Sequence, residues 1–309
     1  MPITRIIIGV GYLGGRVIKL WREAGEYSIA STRRDHPTPE WVAAGPNWAC
    51  KADVTKPETL SWLAHPPALS GTSAEALLYS VGFDRTADAD IQTVYAEGLR
   101  NVLTVLSPRV TRAIYISTTG VYGAAGGGWV DEETLPDPHR DGGKASLAAE
   151  KILRAHPLGR RSAILRLAGI YGPGRVPYLD KLRANEPIAA PSAGWLNLIH
   201  VDDAARIVVG IDRWLAERAA SDGPHIFCVS DGSPVVRGEY YAEAARLVGA
   251  PPPRFTTPAA DSTAVARAGA DKRVSNAKLR AWMDEAQISL QYPSYREGLA
   301  HILQADAAN

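Results

Sequence analysis

Gly9, Gly11 and Gly14 stand in the spacing G-x-G-x-x-G, directly behind the apolar β-branched run Ile3 to Val10 and at the head of a segment with helical apolar spacing. At a strand-to-helix turn each glycine has its own task. The first permits the sharp bend, the second lets the backbone come close to a diphosphate, and the third lets helix and strand pack tightly. The helix start adds free N–H groups and partial positive charge, so this turn is suited to the diphosphate of a dinucleotide.

The end of the second strand decides which dinucleotide. A carboxylate there serves the ribose 2′-hydroxyl of NAD. Here the chain reads Ser31, Thr32, Arg33, Arg34. A carboxylate would repel a 2′-phosphate, whereas a guanidinium fork matches phosphate oxygens, so the expectation is NADP. NAD is the alternative, with Asp35 serving the ribose. Asp53, after the third strand, is placed for the adenine edge.

Other chemistry-bearing types are sparse. His36, His65, His139, His156, His225 and His301 show no i, i+4 pairing and no cysteine partners, so no metal site is expected. His200, Asp202 and Asp203 precede an apolar-periodic helix, where capping and the helix dipole account for the two carboxylates. Cys50 and Cys228 are too few and too far apart for a disulfide framework or a metal knuckle.

The elements that must carry these residues alternate. Strands are expected at Ile3 to Val10, Tyr27 to Thr32, Trp48 to Ala52, Ala74 to Val81, Arg112 to Ser117 and Ser162 to Leu167. Helices are expected at Tyr12 to Glu26, Thr38 to Ala44, Pro57 to Ala64, Ala87 to Leu106 and Lys144 to Ala155. Strands separated by helices need crossover connections and a parallel sheet. The fold class is therefore α/β, a Rossmann-type doubly wound parallel sheet, with a smaller C-terminal substrate-binding lobe. The domain expectation is 1–170 for dinucleotide binding and 171–309 mainly for substrate, with 195–230 returning to the sheet. The lobe's helices are expected at Asp202 to Ala219, Arg237 to Val248, Asn276 to Met283 and Tyr295 to Leu303. Thr118 to Gly143 is a Gly/Pro/Asp-rich loop, and Ala250 to Ala270 is the most linker-like segment.

Four stretches taken together, GVGYLGGRV, STTGVYG, LRLAGIYGPGR and NLIHVDDAAR, resemble the NAD-dependent epimerase/dehydratase family, the extended short-chain dehydrogenases/reductases, over essentially the whole chain. The resemblance implies a cofactor pocket from Gly9, Gly11, Tyr12, Leu13, Gly14, Thr32, Arg33, Arg34, Asp53, Val54 and the strand end Ser80, Val81, Gly82. Nicotinamide would then lie against Ala168, Gly169 and Ile170. Ser117, Thr118 and Thr119 match the family's Ser/Thr element, which polarises the reacting oxygen.

The family's Tyr-x-x-x-Lys pair is absent, since none of the 12 tyrosines has a lysine four residues later. Aligned on Lys144, the tyrosine slot holds Arg140; counted back from Glu150, the two slots hold Gly142 and Ser146. The chain thus resembles an atypical branch, and Tyr122, Tyr171 or Lys144 are the candidates to move the proton. Phe83, Tyr122, Tyr171, Arg175, Trp195 and Asn197, with Tyr178, are the candidates to line a substrate cleft where the two lobes meet.

Composition bounds the rest. Lys+Arg 34 against Asp+Glu 33 gives a formal charge of +1, so no global field gathers nucleic acid or anionic lipid. At 46% hydrophobic and 22% charged the 309 residues suit a globular protein, and no membrane partner is expected. The start of the chain shows no signal-peptide pattern, so a cytoplasmic location is expected. The expected function is an NAD(P)-dependent oxidoreductase or epimerase acting on a small polar or sugar-type substrate. The alternative is an NADP(H)-binding sensor or scaffold that has lost turnover. Helices around Ala87 to Leu106 and Lys144 to Ala155 would allow a homodimer through four helices.

Overall fold

Seven strands hydrogen-bond into one central sheet. In the computed structural model, which describes residues 4–34, 45–64, 74–84, 88–106, 108, 110–259 and 271–307, they are β1 (Thr4–Ile8), β2 (Tyr27–Thr32), β3 (Trp48–Lys51), β4 (Ala74–Tyr79), β5 (Arg112–Thr118), β6 (Ser162–Leu167) and β7 (His225–Val229). Their order is β7-β6-β5-β4-β1-β2-β3. β1 pairs in parallel with β2 and β4, β2 with β3, and β4 with β5. The sheet is of the Rossmann type, and its strand order reverses between β1 and β4, the switch point beside whose carboxyl ends such sheets bind ligands.

β1 is buried along its whole length, which is why it reads Ile6-Ile7-Ile8 without alternation. Its one charged residue is accommodated by pairing: buried Arg5 on β1 and buried Arg112 on β5 both donate to the buried Asp212 carboxylate. This cluster ties β1 and β5 to helix α4.

The helices are α1 (Tyr12–Glu23), α2 (Gly98–Val105), α3 (Asp141–Ala155) and α4 (Val201–Ala216). α1 buries Leu13, Val17, Ile18 and Trp21, the i, i+4 spacing of an amphipathic helix. The segment expected to be one helix over Ala87 to Leu106 instead enters through a π-helical turn at Thr93–Glu97 before α2. Tyr79 donates its hydroxyl hydrogen to the Val94 carbonyl at 3.2 Å inside that turn. A Cβ at Gly98 would stand 2.6 Å from Val54 Cγ2 and 2.9 Å from the Tyr79 hydroxyl, so close packing sets the irregularity. Pro57–Leu63 is a 3₁₀ helix, and the helix expected over Thr38 to Ala44 falls outside the described residues.

The chain divides into two compact units. The first comprises Met1–Val121, Asp141–Arg166 and Ala204–Phe227; the second comprises Tyr122–Arg140, Leu167–Asp203 and Cys228–Asn309. The second unit is knit from short strand pairs. Gly169–Tyr171 runs parallel to Leu198–His200, and Trp129–Val130 parallel to Arg273–Val274. Trp195–Leu196 runs antiparallel to Val235–Val236. Its longer helices are α5 (Arg237–Leu247), α6 (Ala277–Glu285) and α7 (Tyr295–Ala307), and a short one spans Leu179–Arg183. Tyr171, Leu182, Ile188, Tyr240, Leu299 and Ile302 share its core. The loop expected over Thr118 to Gly143 is thus partly ordered by its strand at Trp129–Val130.

Candidate dinucleotide site

The turn after β1 is shaped by backbone contacts that exclude side chains. Gly9 has φ of +88°, a left-handed conformation that favours glycine. A Cβ there would stand 2.7 Å from the Val81 Cα and 2.8 Å from its nitrogen. Gly9 and Val10 both donate to the Ser31 carbonyl, and the Ser80 hydroxyl donates to the Gly9 carbonyl at 2.8 Å. Strands β1, β2 and β4 thereby hold one bend. At Gly14 a Cβ would come to 3.2 Å from the Gly9 carbonyl oxygen, so the third glycine lets α1 start against the turn it follows.

Gly11 differs from both. It is the N-cap of α1 at φ −133°, its Cβ position has nothing within 4 Å, and no side chain caps the helix. Its first turn, Tyr12 and Leu13 onward, carries no acidic residue. Open space before uncapped helix N–H groups fits a diphosphate, by hydrogen bonding and by the helix dipole alike. The Arg16 guanidinium, 4.3 Å from the Tyr12 ring centroid, adds positive charge on the same turn.

At the end of β2, Arg33 and Arg34 are exposed, and Arg33 pairs with Asp84 at 2.7 Å. Thr32 accepts the Arg34 amide through its hydroxyl at 3.3 Å. Asp53 accepts from the Thr55 amide and hydroxyl through one carboxylate oxygen at 3.0 and 2.7 Å, which fixes the turn that carries Val54. Val81 and Gly82 follow β4, and the Phe83 amide donates to the Tyr95 hydroxyl. All of these residues belong to the first unit.

At the end of β5 the three hydroxyls differ. Ser117 is buried and donates to Glu150 Oε1 at 2.6 Å, while Arg166 donates to both oxygens of the same carboxylate at 3.1 and 2.7 Å. Thr119 is buried. Thr118 is half-buried at the strand end, with its Oγ1 accepting the Gly120 amide at 3.0 Å. Of the two helix slots, Ser146 is buried in α3 and hydrogen-bonds with Tyr115, whose phenol burial holds well above its ordinary range. Gly142 leaves a gap lined by Ile91.

The proton-handling candidates differ in exposure and in what they touch. Lys144 is exposed on α3. Tyr122 is buried in the second unit, its hydroxyl 3.1 Å from Cys228 Sγ. Tyr171 is buried there too, packed edge-on against His200, donating to the Ser294 carbonyl at 3.4 Å, with burial raising its pKa far above the usual phenol value. These phenols are part of the packing.

Ala168, Gly169 and Ile170 leave β6 within the second unit, and the Gly169 amide donates to the Asn197 carbonyl at 2.9 Å. Asn197 also donates to the Lys272 carbonyl and accepts the Val274 amide. Trp195 is half-buried and donates its amide hydrogen to Asp271, and the Arg273 guanidinium lies about 5 Å from both the Trp195 and Trp129 ring centroids. Arg175 is exposed on a turn closed onto Gly172. Tyr178 is half-buried against Tyr241.

Asp202 and Asp203 stand in the first turn of α4, as the helix-dipole reading expects, and Asp203 has a further task. It accepts the amides of Gln291 and Tyr292 at 2.8 and 2.9 Å, and so anchors the segment before α7. His200, fully buried, accepts the Asp202 amide.

Sequence reasoning missed Lys272, which reads as one more surface cation in Asp-Lys-Arg, yet is 5% exposed with Nζ donating to the Tyr122 carbonyl at 3.2 Å. It also missed Glu150 as the acceptor for Ser117. Among the described residues no group of three or more His, Cys, Asp or Glu is placed to hold a metal, and no helix is long and apolar enough to cross a membrane.

Comparison with known proteins agrees with this architecture. Protein YeeZ of Escherichia coli strain K12 is 32% identical over 183 residues, 59% of this chain and 62% of YeeZ. A candidate NAD-dependent epimerase/dehydratase of Methylobacillus flagellatus superposes with a TM-score of 0.76 at 29% identity, over 99% of this chain and 100% of that one. The UDP-glucose 4-epimerase of Thermotoga maritima, solved with UDP-glucose, gives 0.77 at 17% identity over 99% of both chains, a likeness of fold. The family model described as NAD dependent epimerase/dehydratase matches residues 6–229. The chain belongs to the NAD-dependent epimerase/dehydratase family.

Proposed function

We propose that this protein is an NADP-dependent oxidoreductase or epimerase of its family, acting on a small polar, sugar-type carbonyl or alcohol. The observation that carries the reading is the open, uncapped start of α1 behind Gly9, whose bend is held by Ser31 and Ser80. The amides of Gly11, Tyr12 and Leu13 would hold the diphosphate, and Asp53 with Val54 would border the adenine. When bound, the nicotinamide accepts or gives hydride at C4.

Arg33 and Arg34 favour the 2′-phosphate over a bare ribose. The Arg33–Asp84 pair is exposed, and such pairs contribute about 0–1 kcal/mol, so a phosphate can draw the guanidinium over. Thr118, the half-buried hydroxyl of its trio, would donate to the substrate oxygen. Ser117 has its hydrogen on Glu150 and acts by fixing the strand end that presents Thr118.

Calorimetry with NADPH and NADH tests the cofactor. Tighter binding of NADPH is expected, with a loss of about tenfold or more in Arg33→Ala/Arg34→Ala and little change for NADH, one charged phosphate contact contributing roughly 1.5–3 kcal/mol. Failure of both coenzymes to bind refutes the reading.

The second reading, a dinucleotide-binding protein without turnover, draws on one observation: Ser146, in a slot of the missing pair, is bonded to Tyr115. NADPH that binds but is never oxidised across a broad panel of carbonyls and nucleotide sugars would favour it.

A further inference from the structure

We propose that Asp84 sets the coenzyme preference of this protein by competing with the 2′-phosphate for the Arg33 guanidinium. The inference rests on the dinucleotide reading above and deepens it, and every residue it uses belongs to the first unit.

The sheet order brings the two partners together. β1 lies between β2 and β4, so the ends of those two strands stand about 9–10 Å apart with the Gly9 bend between them. The bend touches both sides: Gly9 and Val10 donate to the Ser31 carbonyl, and the Cβ position of Gly9 is 2.7 Å from the Val81 Cα. Arg33 stands two residues beyond Ser31 and Asp84 three beyond Val81, and their side chains meet at 2.7 Å. The ion pair therefore bridges the carboxyl end of β1, beside the switch point where a doubly wound sheet takes up its ligand.

The chain is held close to each partner. The Arg34 amide donates to the Thr32 hydroxyl at 3.3 Å, and the Phe83 amide donates to the Tyr95 hydroxyl at 3.2 Å. With the backbone fixed on both sides, the bridge opens by rotation of two side chains that are 43% and 37% exposed.

The electrostatics then discriminate between coenzymes. A carboxylate and a phosphate seek the same planar fork. When a 2′-phosphate takes the guanidinium, Asp84 loses its cation and is left as an anion near another anion. A bare 2′-hydroxyl carries no charge to draw Arg33 away or to repel Asp84, so an unphosphorylated coenzyme leaves the bridge closed. Asp84 thus weakens NADPH and spares NADH. An exposed pair of this kind holds its cation by a factor of up to about five. At about 6 Å, with water-like screening, repulsion between the carboxylate and one phosphate charge adds roughly threefold before salt reduces it.

The test is isothermal titration of NADPH and of NADH into the parent, Asp84→Asn, Arg33→Ala and the double variant, with melting curves as the control for folding. Asp84→Asn should bind NADPH about threefold to tenfold more tightly and NADH within twofold of the parent. In the Arg33→Ala background the NADPH gain from Asp84→Asn should shrink at least about twofold, because the cation competed for is gone. That pattern supports the proposal. Unchanged or weaker NADPH binding by Asp84→Asn, an equal gain for NADH, or the full gain persisting without Arg33 overturns it and leaves the cofactor reading intact. Failure of the parent and all variants to bind either coenzyme refutes the cofactor reading, and this proposal with it.

Discussion

Replacing Gly9 and Gly11 by alanine, one at a time, separates what the turn does for the fold from what it does for the ligand. At Gly9 the φ of +88° costs an L-residue about 1–2 kcal/mol. The new Cβ would also stand 2.7 Å from the Val81 Cα, a backbone atom that moves only if the end of β4 moves, and forced overpacking of this kind adds about 1–3 kcal/mol. Together these predict a loss of roughly 2–5 kcal/mol and a fall in Tm of about 5–15 °C. At Gly11 the backbone is ordinary, at φ −133°, and the methyl meets nothing within 4 Å. The poorer N-cap costs up to about 1 kcal/mol, and the stiffer unfolded chain returns about 0.4–1 kcal/mol, so Tm should move by no more than roughly 2 °C. The methyl does fill the approach to the α1 amides, so NADPH affinity should fall tenfold or more. Differential scanning calorimetry and isothermal titration on both variants make the comparison. Gly11→Ala binding NADPH as tightly as the parent would refute the placement of the diphosphate, and Gly9→Ala melting with the parent would refute the packing argument.

Two further outcomes follow from buried carboxylates. Asp231 accepts the Ser233 amide through Oδ1, its Oδ2 has no hydrogen-bond partner among the described residues, and burial, with Glu297 and Asp203 nearby, raises its pKa from 3.8 to about 7. The folded state therefore holds this proton where the unfolded state has released it, and stability falls as pH rises from about 4 to about 7, by up to about 4 kcal/mol. Asp231→Asn should flatten that part of the urea-denaturation profile and stabilise the protein above pH 7; an unchanged profile would contradict it. Glu150→Gln leaves the Arg166 guanidinium buried without its carboxylate, so a loss of about 3–5 kcal/mol is expected, read as a lower denaturation midpoint.

The sheet was legible because its signals are local. Ile6-Ile7-Ile8 can only be a doubly buried strand, and G-x-G-x-x-G behind it marks both the bend and the helix start. The π turn at Thr93–Glu97 was not legible, because it follows from Gly98 packing against Val54 and Tyr79, residues 44 and 19 positions away. The candidate cofactor residues share this locality, since Gly9, Gly11 and Arg33 each sit just past the end of a strand whose position the pattern fixes. Lys272 was hidden for the opposite reason. Its burial depends on Asn197, 75 residues earlier, and on Tyr122, 150 residues earlier, and nothing in Asp-Lys-Arg reports that. Tyr122 and Tyr171 show the same limit of local reading. A tyrosine in a strand-exit loop looks free for chemistry, but their hydroxyls lie against Cys228 and the Ser294 carbonyl.

Helix α3, on which the resemblance places the slots of the absent Tyr-x-x-x-Lys pair, is already committed to packing. In α3, Glu150 receives both Ser117 and Arg166, and Ser146, four residues before it, bonds with Tyr115 on β5. The inward face of α3 is thus occupied by a buried polar cluster that locks β5 and β6, and the lysine nearest to it in sequence, Lys144, faces solvent. A desolvated cation added to that face would meet Arg166 at close range and cost several kcal/mol unless Glu150 released its partner. Placing a lysine in that slot as Ser146→Lys should therefore destabilise the protein by several kcal/mol, read as a lower urea-denaturation midpoint, and an unchanged midpoint would contradict the reading.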